Sequence, residues 1–187
     1  MAFETIQSTE YIEKNIRLRY WPNLTIWDYF DAGCSKHPDK EALVDKKSRF
    51  TYRQVKEIVE RMALGFLELG VAKGDVVSYQ LPNWNEFIFI YLALTRIGAI
   101  NNPVIPIYRA REVRFMVGLL ESKIMIIPSE FRKFSYIEMM LELQKDLPSL
   151  KRIMVLGQDI PRGMESFQEF METPWEKKSD SRKLKDT

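Results

Sequence analysis

Apolar positions crowd most tightly between Gly74 and Ser129, where three short, largely β-branched runs alternate with two helical patterns. Val76 to Leu81, Ile100 to Ile105 and Ile124 to Pro128 are punctuated by Gly, Asn and Pro, as expected of strands buried on both faces of a parallel sheet. Between the first two runs, Asn83 and Glu86 stand at capping-box spacing, and Gly98 is placed to end the helix they begin. That helix is apolar nearly all round, through Trp84, Phe87, Ile88, Phe89, Ile90, Tyr91, Leu92, Leu94 and Ile97, so other elements should cover it. The stretch reads β-α-β-α-β and forms the expected core.

The flanks carry weaker but regular signals. Residues 1–23 show no periodic element and read as an arm. Thr25 starts a helix whose apolar face takes in Ile26, Tyr29 and Phe30 and which stops at His37-Pro38. Glu41 to Asp45 and Arg49 to Tyr52 read as a small hairpin at an edge, turning through Lys46-Lys47-Ser48. Thr51 with Gln54 forms a capping box for a helix striped by Val55, Ile58, Val59, Met62, Phe66 and Leu69 and ended at Gly70. Ser135 with Glu138 starts another helix, Arg152 to Leu156 is a strand, and Ser166 opens a last short helix. From Pro174, PWEKKSDSRKLKDT loses apolar periodicity and reads as a charged linker or frayed tail. The expectation is an α/β fold with a mainly parallel sheet flanked by helices on both faces: arm 1–23, domain 24–173, tail 174–187.

Charge and composition narrow the function. The balance of 28 Lys plus Arg against 26 Asp plus Glu is near neutral and the basic residues are dispersed, which excludes the footprint of a nucleic-acid binder. One Cys and one His build neither a disulfide nor a structural zinc site. The longest apolar run, Phe87 to Leu94, is too short to span a bilayer, and the N-terminus has no signal-peptide core, so a soluble cytoplasmic protein is expected. His37 has no acid-base partner nearby and reads as solvated or structural. Cys34, with Lys36 its only basic neighbour, reads as a packed side chain. The glycines nowhere form G-x-G-x-x-G or G-x-x-x-x-G-K-[ST], so a self-contained nucleotide site is not expected. Arg109, Arg111 and Arg114 gather where a helix begins beyond a strand end, the place open α/β sheets reserve for ligands, with plain surface solvation as the alternative.

From about Arg17 to Ser129 the order of motifs resembles the N-terminal portion of the AMP-forming acyl-CoA synthetases. The resemblance rests on Phe50-Thr51-Tyr52, Gly70-Val71 with Gly74-Asp75, Leu81-Pro82-Asn83-Trp84, Arg96-Ile97-Gly98-Ala99-Ile100, Asn102-Pro103 and Arg111-Glu112-Val113. QLPNWNEF and NPVIPIYRAREVRFM look closest to members acting on medium-chain, alicyclic or aromatic acids, such as cyclohexanecarboxylate-CoA ligases. The resemblance implies a reaction in which a carboxylate attacks ATP, assisted by Mg²⁺, and the thiol of CoA then displaces AMP. It further implies that Arg109 or Arg111 approaches the phosphates of CoA. The family's glycine-rich phosphate loop and catalytic Lys have no counterpart in the 187 residues. No catalytic residue is therefore assigned, no cofactor is expected on this chain alone, and its expected partner is the remainder of a longer synthetase, with a small carboxylic acid as substrate. Self-association is a further expectation. The competing reading is a stand-alone interaction or regulatory module that keeps the fold without the chemistry.

Overall fold

The computed structural model describes residues 7–45 and 48–184. Its elements in chain order are α1 (Thr9–Arg17), α2 (Ile26–Lys36), β1 (Glu41–Val44), β2 (Arg49–Thr51), α3 (Tyr52–Glu68), β3 (Val76–Tyr79), α4 (Asn85–Arg96), β4 (Ile100–Pro103) and α5 (Ala110–Leu119). They continue with β5 (Ile124–Pro128), β6 (Glu130–Phe131), β7 (Phe134–Ser135), α6 (Tyr136–Leu143), β8 (Arg152–Leu156), β9 (Glu165–Ser166), α7 (Phe167–Glu172) and α8 (Trp175–Lys178).

Strands β4-β3-β5-β8-β9 form one parallel sheet in that spatial order. Alternation along the strands divides the core in two. Val77, Tyr79, Ile124, Ile126 and Met154 face one side, under α3, α4 and α7. Met125, Ile127, Ile153 and Val155 face the other, under α5 and α6. Every residue of β3 and β5 is buried, as the continuous apolar runs require of central parallel strands. The expected α/β architecture, with helices on both faces, is the one observed.

Several local signals act as read. Thr51 Oγ1 accepts from Gln54 N and Gln54 Oε1 accepts from Thr51 N, which closes the box at the start of α3. Thr25 does the same with Asp28 for α2, and Ser135 and Ser166 cap α6 and α7. Each such cap is worth about 1 kcal/mol. The hairpin β1–β2 pairs antiparallel as a sheet of its own, and the turn residues Lys46 and Lys47, expected as solvated loop charges, lie outside the described residues.

Other expectations fail for identifiable reasons. Helix α1 falls within the supposed arm, started by Ser8 Oγ accepting from Tyr11 N, and buries no residue. The inner face of α2 is Trp27, Phe30 and Cys34, while Ile26 and Tyr29 point to solvent. Two apolar stripes interleave on that helix, and the tryptophan's larger area decides which goes in. Asn83 does not cap α4: Trp84 holds the N-cap position without a side-chain bond, and Asn85 Nδ2 instead donates to Ser48 Oγ at 3.0 Å. The run from Ile100 is not a central strand, because β4 closes one edge of the sheet and leaves Pro103 and Ile105 exposed. The residues from Pro174 to Leu184 are no linker. Trp175 Nε1 donates to Phe170 O at 2.8 Å, Arg61 pairs with Glu176 at 3.1 Å, and Leu184 is buried against the α3–α4 side of the core. Two well-spaced apolar anchors dock a segment whose average composition is that of a linker.

Candidate functional site

The carboxyl ends of β3, β4, β5 and β8 meet at one end of the sheet, and the chain there is held by side chains that the strands themselves supply. Gln80, which follows β3 and has no exposed surface, donates through Nε2 to the carbonyls of Ile105 and Tyr108 at 2.9 and 3.0 Å. Tyr136, at the start of α6, donates its hydroxyl to Pro106 O at 2.7 Å. Burial first, and nothing acidic, raises that phenol above its ordinary range. The loop from Ile105 to Arg109 is thus pinned from beneath by two neighbouring elements.

Arg109 completes the pinning from above. Its Nη1 donates to Pro106 O at 2.8 Å and Tyr108 O at 2.9 Å, and its guanidinium lies 3.9 Å from the ring centre of Phe134. Its backbone N–H donates to Glu112 Oε2 at 3.2 Å, and the backbone N–H of Glu112 itself, followed by this bond, holds the carboxyl below its usual value at the head of α5. Beside Arg109 opens a groove of about 360 Å³ whose walls include Asn83, Ile107, Arg132 and Tyr136. A second groove of about 740 Å³ runs past Asn83, Trp84, Ser129, Glu130 and Gly157 toward Ser48. Gly157 sits at φ +146°, and a Cβ there would lie 2.0 Å from Ser129 Oγ, so only glycine lets the ends of β5 and β8 approach this closely.

The arginines singled out from the sequence are separated by this geometry. Arg111 lies two residues on and lines a different, open face of α5 with Arg114 and Phe115. Arg114 is paired with Asp146 at 3.2 Å. The cation that shares the groove with Arg109 is Arg132, at the tip of the β6–β7 hairpin, where Arg132 and Lys133 both take positive φ in a tight turn. Nothing in the sequence around Phe131-Arg132-Lys133-Phe134 connects it to the end of β4 at Pro103; only the fold does.

His37 and Cys34 lie outside both grooves. His37 ends α2 through its backbone and is exposed. Cys34 is buried with Sγ 3.5 Å from Tyr52 O, and burial pushes its thiol up, away from reactivity. Among the described residues no cluster of His, Cys, Asp or Glu could hold a metal ion, and no helix is long and apolar enough to cross a membrane.

A five-stranded parallel sheet flanked by helices, with grooves at its strand ends and a pinned, arginine-bearing loop, defines an open-sheet α/β domain. The chain belongs to the AMP-binding enzyme family, whose model matches residues 30–186. It is 32% identical over 134 residues to the medium-chain fatty-acid–CoA ligase of Escherichia coli strain K12, covering 71% of this chain and 24% of that ligase. It is 33% identical over 142 residues to the vibriobactin-specific 2,3-dihydroxybenzoate-AMP ligase of Vibrio cholerae, covering 76% of this chain and 26% of that enzyme. Its fold matches MbtA of Mycobacterium smegmatis with a TM-score of 0.79 at 24% identity, over 90% of this chain and 31% of MbtA. The chain spans about a quarter of the length of these curated relatives.

Proposed function

We propose that the chain supplies the N-terminal quarter of an AMP-forming acid ligase, which joins a carboxylic acid to AMP with release of pyrophosphate and passes the acyl group to the thiol of CoA. The observation that carries this reading is the family match across residues 30–186, with relatives named as acid–CoA and acid–AMP ligases. A medium-chain or cyclic acid is the substrate class we favour, on the strength of the QLPNWNEF and NPVIPIYRAREVRFM segments.

In this reading the present residues do not perform adenylation by themselves. The transition state spreads charge over phosphate oxygens and needs converging backbone donors and a cation in a dry site. The 187 residues contain no glycine-rich phosphate loop, and no residue cluster here fits Mg²⁺ among those described. What they contribute is the sheet end and its arginine loop, with Arg109 on the path of the CoA phosphates and Arg111, on another face of α5, off it. The test is acid-dependent exchange of labelled pyrophosphate into ATP. We expect none from the 187 residues and restored exchange when they are joined to a segment carrying the phosphate loop and catalytic Lys. Exchange above background by the 187 residues, with contaminating ligase excluded, would sink the proposal.

A further inference from the structure

We infer that the segment from Lys14 to Tyr29, the end of α1 with the turn that follows it and the start of α2, is a docking surface for an anionic lipid bilayer, which it enters to headgroup depth. The inference stands apart from the ligase reading and from both grooves. Thirteen large apolar side chains are exposed among the described residues, and six of them, Leu18, Tyr20, Trp21, Leu24, Ile26 and Tyr29, fall within twelve consecutive positions. Singly exposed apolar residues are ordinary, whereas a contiguous cluster marks an interface. The same stretch carries Lys14, Arg17 and Arg19, all exposed, and no Asp or Glu from Lys14 to Trp27. Asp28, the next acid, is turned back into the cap of α2. None of the three cations is paired with a carboxylate among the described residues.

The residue types select the occupant. Tyr and Trp favour the headgroup level of a bilayer, where an apolar ring keeps its polar tip in water, while Leu and Ile take the acyl side and Lys and Arg reach anionic headgroups. A second copy of the chain fits worse, because a two-fold contact sets the same patch against itself and brings Arg17 and Arg19 of both copies together with no acid between them. The local structure also suits a peripheral contact. Positive φ at Arg19 and Asn23 brackets Tyr20, Trp21 and Pro22 in a tight turn, and Trp21 packs edge-on to Tyr11 of α1 with 5.7 Å between ring centres. The hydrogen bonds of residues 8–21 close within that stretch, those of Tyr20 N and Trp21 N to Asn15 O among them, and α1 buries no side chain. The unit is preformed, and lowering its apolar side chains among headgroups breaks no hydrogen bond of the fold.

The experiment is flotation of the 187-residue chain with vesicles of equal parts phosphatidylcholine and phosphatidylglycerol, beside vesicles of phosphatidylcholine alone, at low ionic strength and without ATP, acid or CoA. The chain should float with the anionic vesicles, and added salt should release it. Arg17→Gln with Arg19→Gln should weaken binding by roughly twentyfold, about fivefold for each charge. Tyr20→Ser with Leu24→Ser should weaken it by at least about tenfold. Phe115→Ser with Arg53→Gln, which removes one exposed apolar side chain and one cation elsewhere, should bind as the wild type does. Hydrogen exchange on the wild-type chain locates the contact without a variant: the amides of residues 14–26 should slow on the anionic vesicles while those of α5 do not change. Absence of flotation, equal binding to neutral vesicles, or an equal loss in the Phe115 and Arg53 variant overturns the inference. So does slowing of residues 14–26 that grows with protein concentration in the absence of lipid, which would give the surface to a second copy. A failed flotation leaves the ligase reading standing, and a failed pyrophosphate-exchange assay leaves the lipid surface standing. All the substituted residues are exposed, and an unchanged urea midpoint shows that each variant is folded.

Discussion

Trp175 lies across the backbone of Gly65: a Cβ built on that glycine would stand 2.6 Å from the indole nitrogen and 2.7 Å from Phe170 Cε2. The contact is what docks the segment after Pro174 onto α3, with the Arg61–Glu176 pair beside it. Gly65→Ala should therefore destabilise the chain by about 1–3 kcal/mol, since neither ring can move without disturbing the other. Helix propensity alone argues the other way, by up to about 1 kcal/mol in favour of Ala. Urea unfolding decides between them, and tryptic cleavage after Lys177 or Lys178 should quicken in the variant. A stabilised Gly65→Ala would show that Trp175 is not packed where the structure has it.

This docking also shows where sequence reading meets its limit. Thr51 with Gln54, Ser166, and the strand Arg152–Leu156 were legible because their signals are local: a cap is decided by three residues and a buried strand by five. Trp175 and Leu184 were not, because eight residues of mostly charged sequence separate them and periodicity averages them away. The same holds for the site. Arg109 announces itself at a strand end, whereas Arg132 gains meaning only when the β6–β7 hairpin is brought to that end by the parallel pairing of β5 with β3.

Gln80 provides the second prediction. Replacing it with Leu leaves the carbonyls of Ile105 and Tyr108 without the donor they share, at a cost of about 1–3 kcal/mol. Part of that cost is offset, because Gln80 Oε1 is itself buried without a partner. The loosening should be confined to the loop. Amide hydrogen exchange across residues 105–110 should accelerate in Gln80→Leu while β5 and β8 stay as protected as in the wild type, and unchanged exchange in the loop would mean that Tyr136 and Arg109 pin it without Gln80.

The pH dependence of α2 follows from its cap. Asp28 accepts from the N–H and the hydroxyl of Thr25 at 2.6 and 2.8 Å, and these bonds, the backbone one first, lower its carboxyl from the ordinary 3.8. A depressed folded-state value contributes stability that is complete above the unfolded value and is lost as the pH falls through the folded one. Asp28→Asn imitates the protonated side chain. The variant should be less stable than the wild type at neutral pH, and the gap measured by urea unfolding should close as the pH drops below 3.8. A gap that stays constant with pH would show that the carboxylate charge contributes nothing to the cap.

The last prediction concerns the division of labour in the complete ligase. Adenylation and thioester formation place different groups at the sheet end: the first needs ATP and acid, the second brings CoA, whose phosphates are its only fixed charges. Arg109 is exposed and already gives Nη1 to the protein's own carbonyls, so on the proposed reading its remaining donors are left for a phosphate. A charge-assisted contact of this kind is worth about 1.5 kcal/mol at the exposed end of the range, or roughly tenfold in binding. Arg109→Ala in the joined enzyme should thus raise the CoA concentration needed for half-maximal thioester formation by about that factor, while acid-dependent pyrophosphate exchange keeps its rate. Arg109→Lys should recover part of the CoA affinity, because charge survives although the fork and its hold on Pro106 and Tyr108 do not. If both half-reactions fall together and Lys restores neither, Arg109 serves the fold of the loop and the phosphate of CoA is bound elsewhere.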